Sequence, residues 1–264
     1  MDLIIIGEDT DNFSIKLIEV AQKKGLKATI LQLKEAARLF TVSIGKQEAT
    51  VTPDIPMIIR MPAPSPTRTS FDESFLYGEC FANLWAAATI CKSTVINRPT
   101  AKSFWGFASY SSVLTQLRAG TKVNNSETFS SQLPLPKAKV VNRQWYVQDI
   151  ATLATEAFPD IPDGKGPYRA RWSEVEPTYE IVLVLGDKTW RGSDVSLEHL
   201  QLEEKSVSLV KNLGMTFALT IWNISHELTE ATLTRVNPFP SFEQVEFAWL
   251  ELVPALFEEL KIGK

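Results

Sequence analysis

Four consecutive apolar residues, Leu3 to Ile6, read as a buried strand, and the small and acidic run Gly7-Glu8-Asp9-Thr10-Asp11 behind them marks a turn and a helix start. From Phe13 to Lys24 the apolar positions Phe13, Leu17, Val20 and Ala21 recur on one helical face, and Gly25 is placed to cap its C-terminus. Lys27 to Leu33 alternates enough to form a second strand. A strand, a helix and a strand in this order predict a right-handed crossover and a parallel sheet. Phe40 to Val51 is expected to be a hairpin around Gly45, and Met57-Ile58-Ile59-Arg60 a short buried strand that closes at Pro62. The prolines from Pro62 to Pro66 suit a rigid loop. Phe71 to Cys91 then reads as one amphipathic helix with Phe75, Leu76, Glu79, Leu84, Trp85 and Ala88 available for packing, followed by a strand at Thr94-Val95-Ile96. Four strands with interleaved helices predict a compact α/β domain over residues 1–100.

The character of the chain changes at Asn97-Arg98-Pro99-Thr100, which is turn chemistry, so residues 101–264 are expected to form a second, α+β domain. Ser103 to Leu117 reads as a helix rich in aromatics and serines. The polar stretch Asn124 to Gln132 and the acidic, proline- and glycine-bearing stretch Asp149 to Gly166 are expected as loops around a strand pair near Ala138 to Gln148. Tyr179 to Leu185 is a strand that turns at Gly186-Asp187 into Lys188-Thr189-Trp190. Leu200 to Asn212 is a helix stopped by Gly214. Met215 to Trp222 and Glu230 to Val236 form a further strand pair, and Phe242 to Leu260 a closing amphipathic helix.

Composition narrows the function classes. The chain has 264 residues, 44% hydrophobic and 22% charged, which is material for a folded core rather than disorder. Its 27 basic against 31 acidic side chains give a net charge of −4, which argues against nucleic acid as a partner. No apolar stretch reaches the roughly 20 residues that span a bilayer, the N-terminus lacks the basic flank of a secretory signal, and two cysteines suit a reducing compartment; a cytoplasmic protein with no membrane partner is expected. Cys80, Cys91, His199 and His226 are too few and too scattered to predict a tetrahedral metal site, and both cysteines read as buried helix and strand residues.

Three groups of residues carry a family resemblance: Ile59-Arg60-Met61-Pro62 with Glu79 and Val95-Ile96-Asn97-Arg98-Pro99; Glu180-Ile181-Val182-Leu183-Val184-Leu185-Gly186-Asp187; and Thr234-Arg235-Val236-Asn237-Pro238-Phe239-Pro240. Together they resemble the ATP-grasp superfamily, in its branch of peptide ligases that extend protein tails or cross-link ribosomal peptides. The resemblance implies a small pre-ATP-grasp-like α/β domain followed by an abbreviated ATP-grasp-like α+β domain. It also implies where the reaction's parts would lie. In the family a substrate-side arginine stands where this chain has Ile181, a metal-binding aspartate where it has Ile221, a metal-binding glutamate where it has Arg235, and an asparagine that is kept here as Asn237. Magnesium takes oxygen ligands, so an isoleucine cannot hold it and a guanidinium repels it. Two unit charges a few ångströms apart interact by about 4 kcal/mol at an effective dielectric of 20, and exchanging a carboxylate for arginine reverses that sign.

The resemblance therefore implies a pseudoenzyme that keeps the ligase scaffold without its metals and binds a peptide or protein partner, as a homodimer or paired with an active relative. No catalytic residue, metal or cofactor is expected. The rival reading is an active ATP-dependent carboxylate-amine ligase, with ATP and magnesium as cofactors and ligands recruited from acids such as Glu230 or Asp187. The binding candidates each carry two readings. Arg235 is either an anion-binding fork or the partner of an acid such as Glu230, Glu243 or Glu246. Asn237 serves either the family's site or the hydrogen bonding of an Asn-Pro turn. Arg60, Asn97 and Arg98 either line a groove for an acidic peptide, or Asn97 and Arg98 cap the helix and pair with surface acids. Lys137, Lys139 and Lys165, the last in Gly164-Lys165-Gly166, are either remnants of a phosphate site or solvated loop residues. The tryptophans Trp105, Trp145, Trp172, Trp190 and Trp222, and the apolar excess Phe247, Leu250, Val253, Pro254 and Phe257 on the last helix, suit core packing first and subunit association next.

Overall fold

The computed structural model describes residues 1–60, 70–100, 112–121, 127–130, 143–149, 155–158, 168–174, 178–193 and 196–263. The predicted opening forms as β1 (Leu3–Ile6), α1 (Asn12–Lys23) and β2 (Ala28–Leu31). The Asp11 side chain caps α1 by accepting the Ser14 N–H, and Gly25 stops the helix at φ +79°. The second strand is shorter than expected because Gln32 and Glu35 start a helix, α2 (Leu33–Leu39), in which the Glu35 carboxylate accepts the Gln32 N–H. The hairpin β3 (Thr41–Ile44) and β4 (Ala49–Thr52) follows, then β5 (Met57–Ile59), α3 (Phe71–Ile90) and β6 (Val95–Ile96). Strands β2, β1, β5 and β6 lie side by side in that order, all parallel.

Most of the side chains proposed to pack from α3 do not. Leu84, Ala87, Ala88 and Cys91 form its buried stripe, whereas Phe75, Leu76 and Trp85 are 63%, 46% and 41% exposed and Glu79 is exposed as well. The buried stripe is confined to the last turns, where two alanines let the helix approach the sheet closely.

Downstream come α4 (Ser112–Ala119), β7 (Glu127–Ser130), β8 (Arg143–Asp149), β9 (Thr155–Phe158) and β10 (Tyr168–Glu174). The four strands pair antiparallel in the order β7, β10, β8, β9. The stretches around Asn124 and Asp149 expected as loops thus each contribute a strand. Among the described residues both are edge strands of this sheet, the place where polar sequences are favoured because only one side of the backbone is paired.

A second antiparallel sheet has the order β12 (Lys188–Arg191), β11 (Thr178–Leu185), β13 (Phe217–Ile224), β14 (Ala231–Asn237), with α5 (Leu202–Asn212) between β12 and β13. The closing helix is broken into α6 (Phe242–Val245), a tight turn over Glu246–Ala248, and α7 (Trp249–Leu260).

One apolar core crosses residue 100. Leu3, Ile5, Phe13, Leu17, Ile58 and Ile96 join Leu183, Leu185, Phe217 and Leu219 and the buried side of α7 in a continuous cluster. The opposite face of the parallel sheet packs Ile4, Ile6, Met57 and Ile59 on α2 and α3. The opposite face of the β11–β14 sheet packs Val182, Val184, Leu233 and Val236 on α5. Alternation along these strands, with successive side chains on opposite faces, is what allows each sheet to serve two cores.

Cys91 is buried at the C-terminus of α3 rather than in a strand, and its thiol donates to Asp54 at 3.0 Å. Burial and the adjacent carboxylate push that thiol up to about 11. Thiolates are the reactive species, so iodoacetamide at pH 8 is expected to modify half-buried Cys80 first and Cys91 only on unfolding, as read by peptide mass spectrometry.

Candidate functional site

The site implied by the sequence lies on the face of the β11–β14 sheet that carries Leu183 and Leu219. Register places Ile181 opposite Ile221 and Ile221 opposite Arg235, so the three positions at which the resemblance implies other residues form one cross-strand row. The next row contains Leu183, Leu219 and Asn237. Side chains opposite one another on neighbouring strands have Cβ atoms about 4.5–5.5 Å apart, a spacing at which carboxylates could share an ion. The row instead offers two half-buried isoleucines and an exposed guanidinium.

A bulge sits beside this row. Trp222 pairs with Leu233 while Ile221 pairs with Arg235, leaving Thr234 as the extra residue. As a result Leu233 and Val236 both enter the core under α5, and Arg235 and Asn237 share the other face. Arg235 has no partner among the described residues; Glu230, Glu243 and Glu246 do not pair with it. Asn237 makes the turn after β14: its carbonyl oxygen accepts the Phe239 N–H at 3.0 Å, and its amide donates to Gln244 at 3.1 Å. Gln244 in turn accepts the Ser241 N–H at 3.0 Å and so opens α6. The sequence reading did not single out Gln244.

The acids named for the rival reading stand at opposite ends of the sheet. Asp187 occupies the β11–β12 turn, where Lys211 pairs with it, and Glu230 precedes β14. Strands rise about 3.3 Å per residue, so Asp187, six positions beyond Ile181, lies on the order of 20 Å from the row. Among the described residues no group of three or more His, Cys, Asp or Glu side chains is placed to hold one metal ion.

Arg60, Asn97 and Arg98 are engaged within the chain. Arg60 is buried at the end of β5, with Nε donating to Asp11 Oδ2 at 2.6 Å and Nη2 donating to Asp11 Oδ1 at 3.1 Å and to the Pro240 carbonyl at 2.9 Å. Its guanidinium lies 4.0 Å from the Phe13 ring centroid, and its buried Nη1 has no hydrogen-bond partner among the described residues. Burial acts to raise the Asp11 carboxyl, but Arg60 and Ser14 outweigh it and hold the group below its ordinary value.

Asn97, also buried, accepts the N–H groups of Thr216 at 2.9 Å and Phe217 at 2.7 Å and donates to the Phe217 carbonyl at 2.7 Å. It therefore joins the end of the parallel sheet to the start of β13. Next to this contact, Gly214 at φ +68° faces Thr100, and a Cβ there would stand 2.4 Å from the threonine hydroxyl. Arg98 donates to the carbonyls of Ala88, Thr89, Cys91 and Ser93, supplying the cation that the last turn of α3 itself lacks. Lys137, Lys139 and Lys165 lie outside the described residues.

No protein-family model and no curated protein sequence matches the chain. Solved structures do. The ATP-grasp ligase PsnB, complexed with precursor peptide PsnA2 and AMPPNP, superposes with a TM-score of 0.67 at 13% identity, over 98% of this chain and 97% of that one. Macrocyclase MdnC from Microcystis aeruginosa MRC, bound with precursor peptide MdnA, gives 0.62 at 13% identity over 98% and 99%. A RimK domain ATP-grasp protein from Sphaerobacter thermophilus DSM 20745 gives 0.57 at 11% identity over 98% and 99%. End-to-end agreement at such low identity is agreement of architecture, and by architecture this chain has the α/β fold of the ATP-grasp peptide ligases.

Proposed function

We propose that this chain is an ATP-grasp-fold protein without magnesium-dependent ligase activity, which binds a peptide or protein partner. The observation that carries the reading is the cross-strand row Ile181–Ile221–Arg235, where the family resemblance implies an arginine and two carboxylates. An acyl-phosphate reaction develops charge on the transferred phosphoryl group, and metal ions neutralise it and align the attacking oxygen. Isoleucine supplies neither ligand nor charge. Arg235 adds a fixed positive charge that opposes cation binding and suits a carboxylate or phosphate instead. A peptide partner is the reading favoured by the fold neighbours, since PsnB and MdnC are both seen with precursor peptides.

Isothermal titration of the full chain with ATP, with and without magnesium, tests this. No magnesium-dependent heat is expected. Micromolar, metal-dependent binding, or ADP release on adding acidic peptides, would overturn the reading. The double variant Ile221→Asp, Arg235→Glu places two carboxylates opposite each other on paired strands and is expected to gain the magnesium-dependent signal that the parent lacks.

A further inference from the structure

The outward side of the last helix is an apolar line in acidic surroundings. Leu250, 89% exposed, and Pro254, exposed and four residues on, share one face of α7, and Phe247, 44% exposed, stands in the turn that leads into it. Between Phe242 and Leu260 stand Glu243, Glu246, Glu251, Glu258 and Glu259, with no lysine or arginine. Glu251 is held in place by the Trp190 indole N–H at 2.9 Å and Glu258 by Lys188. Glu246 is exposed and has no partner among the described residues. Pro254 adds a second kind of acceptor: it has no N–H to give the Leu250 carbonyl, four residues back, so that oxygen loses its usual helical donor beside the most exposed leucine of the line. The opposite side of α7, with Leu252, Val253, Leu256 and Phe257, is deep in the core, so the line sits on a fixed support.

We propose that Phe247, Leu250 and Pro254 form a docking surface for a basic amphipathic helix of a partner protein. Its apolar side chains would cover Phe247 and Leu250, and its lysines or arginines would meet Glu246, Glu243 and the Leu250 carbonyl. Charge decides among occupants. A second copy docked symmetrically would set these glutamates against their own counterparts, and an anionic lipid surface would meet the same repulsion. The surface lies on the other side of α7 from the Arg235 row, so magnesium-dependent ATP binding would overturn the functional reading above and leave this one standing.

The test uses the full chain and a fluorescein-labelled helical peptide of about 14 residues built from leucine and lysine, with its leucine–glutamate counterpart as control. Anisotropy is expected to show micromolar binding of the basic peptide only, weakened about 10-fold by Leu250→Ser and similarly by Glu246→Lys, and weakened by raising the salt. Both side chains are exposed, so circular dichroism and melting of the variants should match the parent. The proposal fails if the variants bind as the parent does, if the acidic peptide binds equally, or if the basic peptide does not bind. It also fails if light scattering finds a parental dimer that Leu250→Ser dissolves, since a second copy would then be the occupant.

Discussion

Arg60→Ala is expected to lower stability by about 3–5 kcal/mol, the cost of breaking a buried ion pair by removing one partner. The guanidinium holds Asp11 with two hydrogen bonds, reaches the Pro240 carbonyl and stacks on Phe13. Its loss would leave a carboxylate whose side chain is only 22% exposed without a counter-charge. The effect should depend on pH in a defined direction. In the parent, Asp11 is held low on balance, so its pairing contributes stability that is fully present above about pH 4 and lost as the pH falls through the folded value. Without Arg60 the opposing effect of burial is checked only by the Ser14 hydrogen bonds, so protonating Asp11 costs the variant less than it costs the parent. Urea unfolding at pH 7 and pH 3 should therefore show a large deficit that narrows in acid. An equal deficit at both values would mean that packing on Phe13, rather than the ion pair, dominates.

Asn97→Ala should have a comparable effect by a different route. Three hydrogen bonds to backbone groups of Thr216 and Phe217 would go, two of them from N–H donors with no other partner among the described residues. A buried polar group left unsatisfied costs about 1–3 kcal/mol, and some water entry reduces the total, so a loss of about 3–5 kcal/mol is expected. Against the 5–15 kcal/mol that holds a typical domain together, this is a large fraction. Asn97→Asp keeps the acceptor and removes the donor, and should fall between the parent and the alanine variant in the same urea experiment. Because the core cluster itself crosses residue 100, both variants are expected to shift one shared unfolding transition rather than to split it.

The elements most legible in the sequence are those in which a single pattern speaks. Leu3 to Ile6 is an unbroken apolar run, α1 repeats its apolar face and stops at Gly25, and the Gly186-Asp187 turn falls between two strand-like stretches. That Arg235 and Asn237 share a face was also readable, because positions two apart on a strand point the same way, and their register opposite Ile221 and Leu219 places them so. The work done by Arg60 and Asn97 was not. Asp11 lies 49 residues from Arg60 and Pro240 lies 180 away, while Asn97 bonds to backbone groups about 120 residues on. A carbonyl or amide acceptor of this kind has no side-chain signature, so a buried arginine or asparagine at the end of a strand looks the same as one facing a ligand. Strands β7 and β9 were hidden for a related reason: an edge strand is held by its backbone, and its residues need not alternate between oil and water.

The extra residue at Thr234 gives this sheet a tolerance that a regular ladder lacks. On either side of it the pairing of β13 with β14 is in register, Trp222 with Leu233 and Ile221 with Arg235. Deleting Thr234 would bring Leu233 and Arg235 into direct succession, on opposite faces, as ordinary alternation requires. Deleting Arg235 instead would also restore alternation but set Thr234 in the row, and deleting Leu233 would remove a core side chain. Lineages could therefore gain or lose one residue at this point of β14 while the charge facing the candidate site stays where it is, and a relative whose strand is one residue shorter there would still present the same row.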